Sequence, residues 1–299
     1  MQAGSLIITV FGDAVLPRGG RLWLGSLIGW LEPLGVNERL VRTTVFRLVK
    51  DEWLANQAQG RRTDYFLTPA GQRRFEEASR QIYAAETPPW DRRWRLIQLL
   101  GDLDNRTRDR LRQALFWQGF GELGAGSFVH PSADLPQVFD ALVTEGLGDC
   151  LPLLMPLVAA NPRLAACAHD SDMVRRAWNL SELAEGYQGF VQCYAPVLDA
   201  LRTGAEPLDD ASALHLRLLL IHDFRRLLLR DPELPDVLLP ADWPGHQARH
   251  LCRDIYQRLL GPSERHLDAT FQLASGTTPA ALPWLNDRFK LADLLSSAA

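Results

Sequence analysis

Cysteine is scarce in this 299-residue chain, and its four copies, Cys150, Cys167, Cys193 and Cys252, share no CxxC or other metal-ligand spacing. That excludes a disulfide framework and fits free thiols in a reducing cytoplasm. Long apolar runs are also missing. The stretch from Leu6 to Phe11 has no basic segment before it, is too short for a signal sequence, and is cut off by Asp13. The longest run, Leu151 to Ala160, carries Pro152 and Pro156 and is about half of what a bilayer requires. Membrane and export readings fail on these grounds, and the chain reads as cytoplasmic.

Catalytic spacings are equally thin. There is no GxSxG elbow, and the Ser, His and Asp residues show no spacing that implies a triad. His246 and His250 stand four apart, but no glutamate lies between them as in HExxH and no third ligand is evident, so they read as helix histidines. The letters Gly119-Phe-Gly121-Glu-Leu-Gly124 spell GxGxxG. That fingerprint needs a strand before it and a helix after it, whereas here a helix precedes and a strand comes next, so it reads as a loop. Asp102 and Asp104 could serve a divalent ion in a nuclease, but short acids at this place read more simply as helix caps. No cofactor and no metal site is expected, and the chain reads as a non-enzyme.

What is present is an ordinary globular composition, 46% hydrophobic and 23% charged with a net charge of −4, enough for two or three cored domains. Against that acidic total, the stretch from Arg18 to Arg62 holds Arg18, Arg21, Arg39, Arg42, Arg47, Lys50, Arg61 and Arg62 against Glu32, Glu38, Asp51 and Glu52. The positive charge is local, as nucleic-acid binding requires.

The same stretch carries a pattern. Trp23, Leu24, Leu27, Ile28, Leu31 and Leu34 recur on one helical face and stop at Gly35, which supplies a tight turn. Asn37 is placed to cap a helix beginning at Glu38, whose dry face is Val41, Val45, Leu48 and Val49 and whose wet face collects Arg39, Arg42, Thr43, Arg47 and Lys50. Strands from Trp53 to Ala58 and Arg62 to Thr68 flank Gln59-Gly60-Arg61, putting Arg61 and Arg62 at a hairpin tip within reach of phosphate or the minor groove. Thr68 and Pro69 then start another helix. This is the pattern of a winged helix-turn-helix.

Thr87-Pro88-Pro89 reads as a stiff linker. Beyond it, strand Arg93–Leu100, helix Asn105–Phe116, strand Gly126–His130, helix Leu135–Glu145 and a buried strand Cys150–Val158 suggest a ferredoxin-like α+β domain. From about Ser171 the chain reads as helix, over 172–201, 210–229 and 245–260, with an ordered proline-rich loop at 230–245 and a loosely held tail after Ser275. Within this part, Arg225 and Arg226 read either as an anion site or, preferably, as partners of Asp223 and Asp231 that hold the loop.

The stretches FGDAVLPRGGRLWLGSLIGWLEPLG, ERLVRTTVFRLVKDEWL, GRRTDYFLTPAG, AWNLSELAEGYQGF and LIHDFRRLLLRDPELPDVLLPADWPG resemble the PaaX-type transcriptional regulators, repressors of phenylacetic acid degradation operons. The resemblance runs over essentially the whole chain. It implies an α+β multidomain protein: a winged-helix DNA-binding domain over 1–87, a central ferredoxin-like domain over 88–170 similar to the small nuclease subunit of CRISPR adaptation systems and serving dimerisation or effector binding, and an all-α regulatory domain over 171–299. It implies a nucleoid-associated bacterial homodimer on double-stranded operator DNA, released by phenylacetyl-CoA or a related aryl-CoA. Carried over by position, the DNA contacts fall at Arg39, Arg42, Thr43, Thr44, Arg47, Lys50, Arg61 and Arg62. Effector candidates are Trp178, Tyr187, His222, Arg225 and Arg226. The family's usual small residue after the reading helix is replaced here by Glu52. The competing reading from another class is a CoA-thioester-processing enzyme fused to a DNA-binding domain.

Overall fold

The computed structural model describes residues 3–84, 89–124, 126–162, 164, 166–204 and 208–290. Thr87 and Pro88 of the expected linker and residues 291–299 of the tail lie outside the described residues. The fold is mixed α+β, and the chain forms two compact units, one of residues 1–86, 188–226 and 245–299, the other of 87–187 and 227–244.

The first unit begins with α1 (Ala3–Val10), continued by a wider turn over Phe11–Val15 and a tight one over Leu16–Arg18. This is the apolar stretch that a signal sequence could not explain. Leu6, Ile7, Val10 and Phe11 are in the core, which accounts for their apolar character without a membrane. Gly19 and Gly20, both at positive φ, reverse the chain into β1 (Arg21–Trp23). Helix α2 covers only Leu24–Leu31, shorter than the apolar period suggests, because Pro33 draws the next residues into a tight turn over Glu32–Leu34 that ends on Gly35. Then come α3 (Glu38–Lys50), β2 (Leu54–Gln59), β3 (Arg62–Leu67) and α4 (Pro69–Ile82). The strands form an antiparallel sheet in the order β1-β3-β2.

In the second unit, β4 (Trp94–Leu99), α5 (Asn105–Trp117), β5 (Gly121–Gly124), β6 (Ser127–His130), α6 (Leu135–Thr144) and β7 (Leu154–Ala159) form a four-stranded antiparallel sheet ordered β5-β6-β4-β7. This βαββαβ course is ferredoxin-like. Strand β5 was not expected; half of it is glycine, which hides a strand from a propensity reading. The strand expected to be buried, β7, lies at the sheet edge, with only Leu154 inside and Met155, Leu157 and Val158 exposed, consistent with Pro156 in its middle.

The expected long helix over 172–201 is two, α7 (Asp170–Ala177) and α8 (Leu180–Thr203), broken at Trp178. Helices α9 (Asp210–Leu228) and α10 (Pro244–Thr270) complete the set. Leu214, Leu218, Leu267 and Phe271 join the N-terminal residues in one apolar core, so the late helices complete the first unit's interior. The tail expected to be loose is docked as far as it is described: Leu285, Arg288 and Phe289 are buried, and Phe289 packs edge-on to Tyr83.

A charge network closes this core. The Asp13 carboxylate, fully buried, accepts from Tyr83 Oη at 2.6 Å and Tyr256 Oη at 3.1 Å and pairs with Arg217 at 2.7 Å and Arg288 at 2.8 Å. Burial pushes its pKa up, but the two guanidiniums and the Tyr83 hydroxyl outweigh it and hold it below the usual carboxylate value. Arg217 reaches on to Glu264, which also takes Arg18. Removing one member of such a network would strand a buried charge, at a cost of about 3–5 kcal/mol.

Candidate nucleic-acid interface

Asn37 caps α3 as expected, its side chain accepting from the Leu40 amide at 2.9 Å. Val41, Thr44, Val45 and Leu48 face the core. Thr44 is thereby removed from the candidate contact face: at 5% exposure its side chain is turned inward, because the helical period places it beside Val41 and Val45. Arg39, Arg42, Thr43, Arg47 and Lys50 are all exposed. Arg42 is held by Glu38 one turn earlier, at 2.7 Å. The Thr43 hydroxyl donates to the Arg39 carbonyl at 2.9 Å.

One residue on this face was not anticipated. Phe46 is 72% exposed although every valine of α3 is at least partly covered. A wet face is sought by its charges, so an apolar residue in its middle escapes notice.

At the hairpin, Gln59 pairs with Arg62 across a two-residue turn of Gly60, at positive φ, and Arg61. Arg61 is exposed at the tip. Arg62 is not free in the same way: its guanidinium lies over the Trp23 ring at 4.4 Å and approaches Gln272 at 3.5 Å. The hairpin is fastened further by Asp64, buried, which accepts from the Ala274 amide at 2.6 Å. Two other cations of the local excess are also occupied. Arg18 is buried against Glu264 and Asp268, and Arg21 stacks on Phe66 at 4.3 Å.

The effector candidates fall into different units. Trp178 and Tyr187 belong to the second, His222, Arg225 and Arg226 to the first. In the first, His222 is buried and its Nδ1 meets the Thr9 hydroxyl at 3.2 Å, and burial lowers its pKa. Arg225 is mostly covered, with an Nε that has no partner among the described residues, and burial lowers its pKa. The carboxylates expected to hold these arginines take tyrosine hydroxyls: Asp223 from Tyr194 at 2.9 Å, Asp231 from Tyr187 at 2.6 Å. In the second unit, Trp178 lines a cleft of about 540 Å³ together with Phe116, Trp117, Phe120 and Phe128. Its indole N–H donates to the Gly119 carbonyl at 3.2 Å, which fixes the ring. Arg112 and Arg230 stand on the same cleft, the first paired with Glu122 at 2.8 Å, the second with Glu182 at 3.7 Å. Sequence spacing brought forward only Trp178 of these residues.

The remaining motifs have structural accounts. Gly119 and Gly121 sit between α5 and β5, the reverse of a dinucleotide site, and a side chain at Gly121 would come within 2.7 Å of Ala177 and Trp178. Asp104 caps α5, accepting from the Thr107 amide at 3.1 Å. Among the described residues, no group of three or more His, Cys, Asp or Glu side chains that could hold a metal includes His246 or His250. All four cysteines are free thiols, and no described helix is long and apolar enough to cross a membrane.

Residues 2–71 match the profile of the PaaX-like protein family, residues 87–155 that of the PaaX protein central Cas2-like domain, and residues 178–269 that of the PaaX-like protein C-terminal domain. A protein of Escherichia coli described as transcriptional repressor PaaX is 40% identical over 279 residues, 92% of this chain and 86% of its own length. An uncharacterized protein from Mycobacterium tuberculosis shares the fold, with a TM-score of 0.55 at 23% identity over 87% of this chain and 97% of its own.

Proposed function

The chain belongs to the PaaX-like protein family, and from that premise we propose that it is a winged-helix repressor that binds operator DNA through α3 and the tip of the β2–β3 hairpin. The observation that carries this reading is the exposed face of α3, where Arg39, Arg42, Thr43, Arg47 and Lys50 leave one side of a capped, well-anchored helix. A helix of that diameter enters the major groove, and a hairpin beside it reaches phosphate or the minor groove. As a homodimer it presents two such faces to half-sites one or two helical turns apart, roughly 34 Å per turn.

Release by phenylacetyl-CoA or a related aryl-CoA completes the proposal. The aromatic cleft around Trp178 supports it: five rings suit a phenyl group, and Arg112 and Arg230 offer cations to the phosphates once their carboxylates yield. Differential binding worth about 1–3 kcal/mol, a five- to 150-fold change in DNA affinity, suffices for induction.

A gel-shift titration on the chain's own upstream DNA, with phenylacetyl-CoA, phenylacetate and CoA as competitors, tests both parts. The thioester alone is expected to dissolve the complex, and Trp117→Ala is expected to raise the concentration required without weakening the DNA complex. Failure to bind DNA removes the repressor reading. Binding that none of the three compounds weakens removes the effector.

A further inference from the structure

Phe46 has no structural reason to be where it is. It lies on the side of α3 opposite Val41, Val45 and Leu48, at 72% exposure, and contributes nothing to the core. A solvent-facing helix position asks for a polar side chain; a lone phenylalanine there forgoes the stabilisation that burial would give. Its neighbours say what kind of surface would cover it. At about 100° of turn per residue, Arg39, Arg42 and Lys50 all lie within about 40° of Phe46 around the helix axis, with Thr43 a little further. A ring surrounded by cations does not fit an apolar protein groove, since seating it would bury the Arg39 and Lys50 charges unpaired and strip water from the Arg42–Glu38 pair. It fits a polyanion that carries an apolar group between its charges. Duplex DNA is such a surface: phosphates line the groove for Arg39, Arg42 and Lys50, and the only apolar group on its major-groove floor is the C5-methyl of thymine.

We infer that Phe46 is a specificity-determining residue of the DNA interface, its ring packing on a thymine methyl in each operator half-site. The inference rests on the DNA-binding reading of α3 and adds a residue and a base to it. Arginine reads guanine through hydrogen bonds, whereas Phe46 makes no hydrogen bond and neutralises no phosphate. Its contribution is therefore confined to one base position and independent of salt, which separates it from every charged residue beside it.

The experiment uses the full-length protein and its footprinted operator, with each thymine replaced in turn by deoxyuridine, which removes only the methyl. Wild type is expected to lose about three- to fivefold in affinity at one thymine per half-site, the loss of one buried methyl. Phe46→Ala should bind the unmodified operator more weakly by at least that factor and show no further loss at that thymine. Its response at other thymines and its salt slope should match wild type, and Phe46→Leu should recover part of the methyl effect. Because the side chain is exposed, an unchanged urea midpoint is expected for both variants and verifies that the fold is intact. If every thymine responds alike in wild type and Phe46→Ala, or if Phe46→Ala binds as wild type does, the inference is wrong while the DNA-binding reading stands. If wild type binds no DNA, both fall together.

Discussion

Glu52 shows how one residue records a conflict between backbone and side chain. It lies just past the end of α3 at a φ of 58°, the left-handed region that favours glycine, and the chain keeps it there because the Trp53 amide reaches the Leu48 carbonyl at 2.9 Å and the Thr68 hydroxyl donates to the Glu52 carbonyl at 2.6 Å. The position explains why a small residue is expected after this helix. Glu52→Gly should therefore stabilise the first unit by about 1 kcal/mol, read as a higher urea midpoint with unchanged slope. A lower midpoint would mean that the Glu52 side chain contributes more than its backbone conformation costs. Thr44 and Phe46 teach the complementary lesson. Both lie in a helix whose boundaries and cap are legible from Asn37 and the apolar spacing, yet the contacts carried over by position take in Thr44, and neither the dry face nor the wet one takes in Phe46. Only the burial of the one and the exposure of the other sort them.

The β2–β3 hairpin treats two neighbouring arginines differently. Its turn is readable from Gly60, and its two arginines look equivalent in the sequence. They differ because Arg62 falls on a side of β3 that packs against Trp23 and Gln272, while Arg61 sits in the turn itself. Binding measured across a salt series should separate them. Arg61→Ala is expected to lower the slope of log affinity against log salt by about 1 and to weaken all sequences alike, whereas Arg62→Ala should leave the slope nearly as it is. Equal slopes for the two variants would remove this distinction. The ferredoxin-like sheet shows the same limit from another side: β4, β6 and both helices are readable from periodicity, but β5 is too rich in glycine, and β7 looks buried when it is an edge. Apolar content cannot tell a central strand from an edge strand, because that depends on which strands pair.

For the whole molecule, titration gives a measurable consequence. His130 of the second unit is covered and packs near Arg95, and its Nδ1 accepts from the amides of Ser132 and Ala133. Burial first, and then Arg95, push its pKa down from 6.5 to about 4. The unfolded chain thus binds a proton between these values that the native unit does not, and stability is full above pH 6.5 and declines as the pH falls toward 4. Urea unfolding of the second unit at stepped pH should show this decline in wild type and a shallower one in His130→Asn, whose side-chain oxygen can accept from the same amides. Parallel curves would mean that His130 is not the group responsible.

Local features were legible before folding: the capped helix from Glu38, the glycine-led hairpin, the Thr68-Pro69 helix start, the concentration of positive charge from Arg18 to Arg62, and the family. These are readable because caps, turns and hydrophobic period act over a few residues. Folding alone brings Leu214, Leu218, Leu267 and Phe271 to complete the core of the N-terminal segment and Asp13 to Arg217, Tyr256 and Arg288. It also decides which arginines face outward and which aromatic rings share a cleft. Those pairings join residues up to 275 positions apart, and no local spacing carries them, since burial and charge pairing are properties of surfaces that meet only after folding.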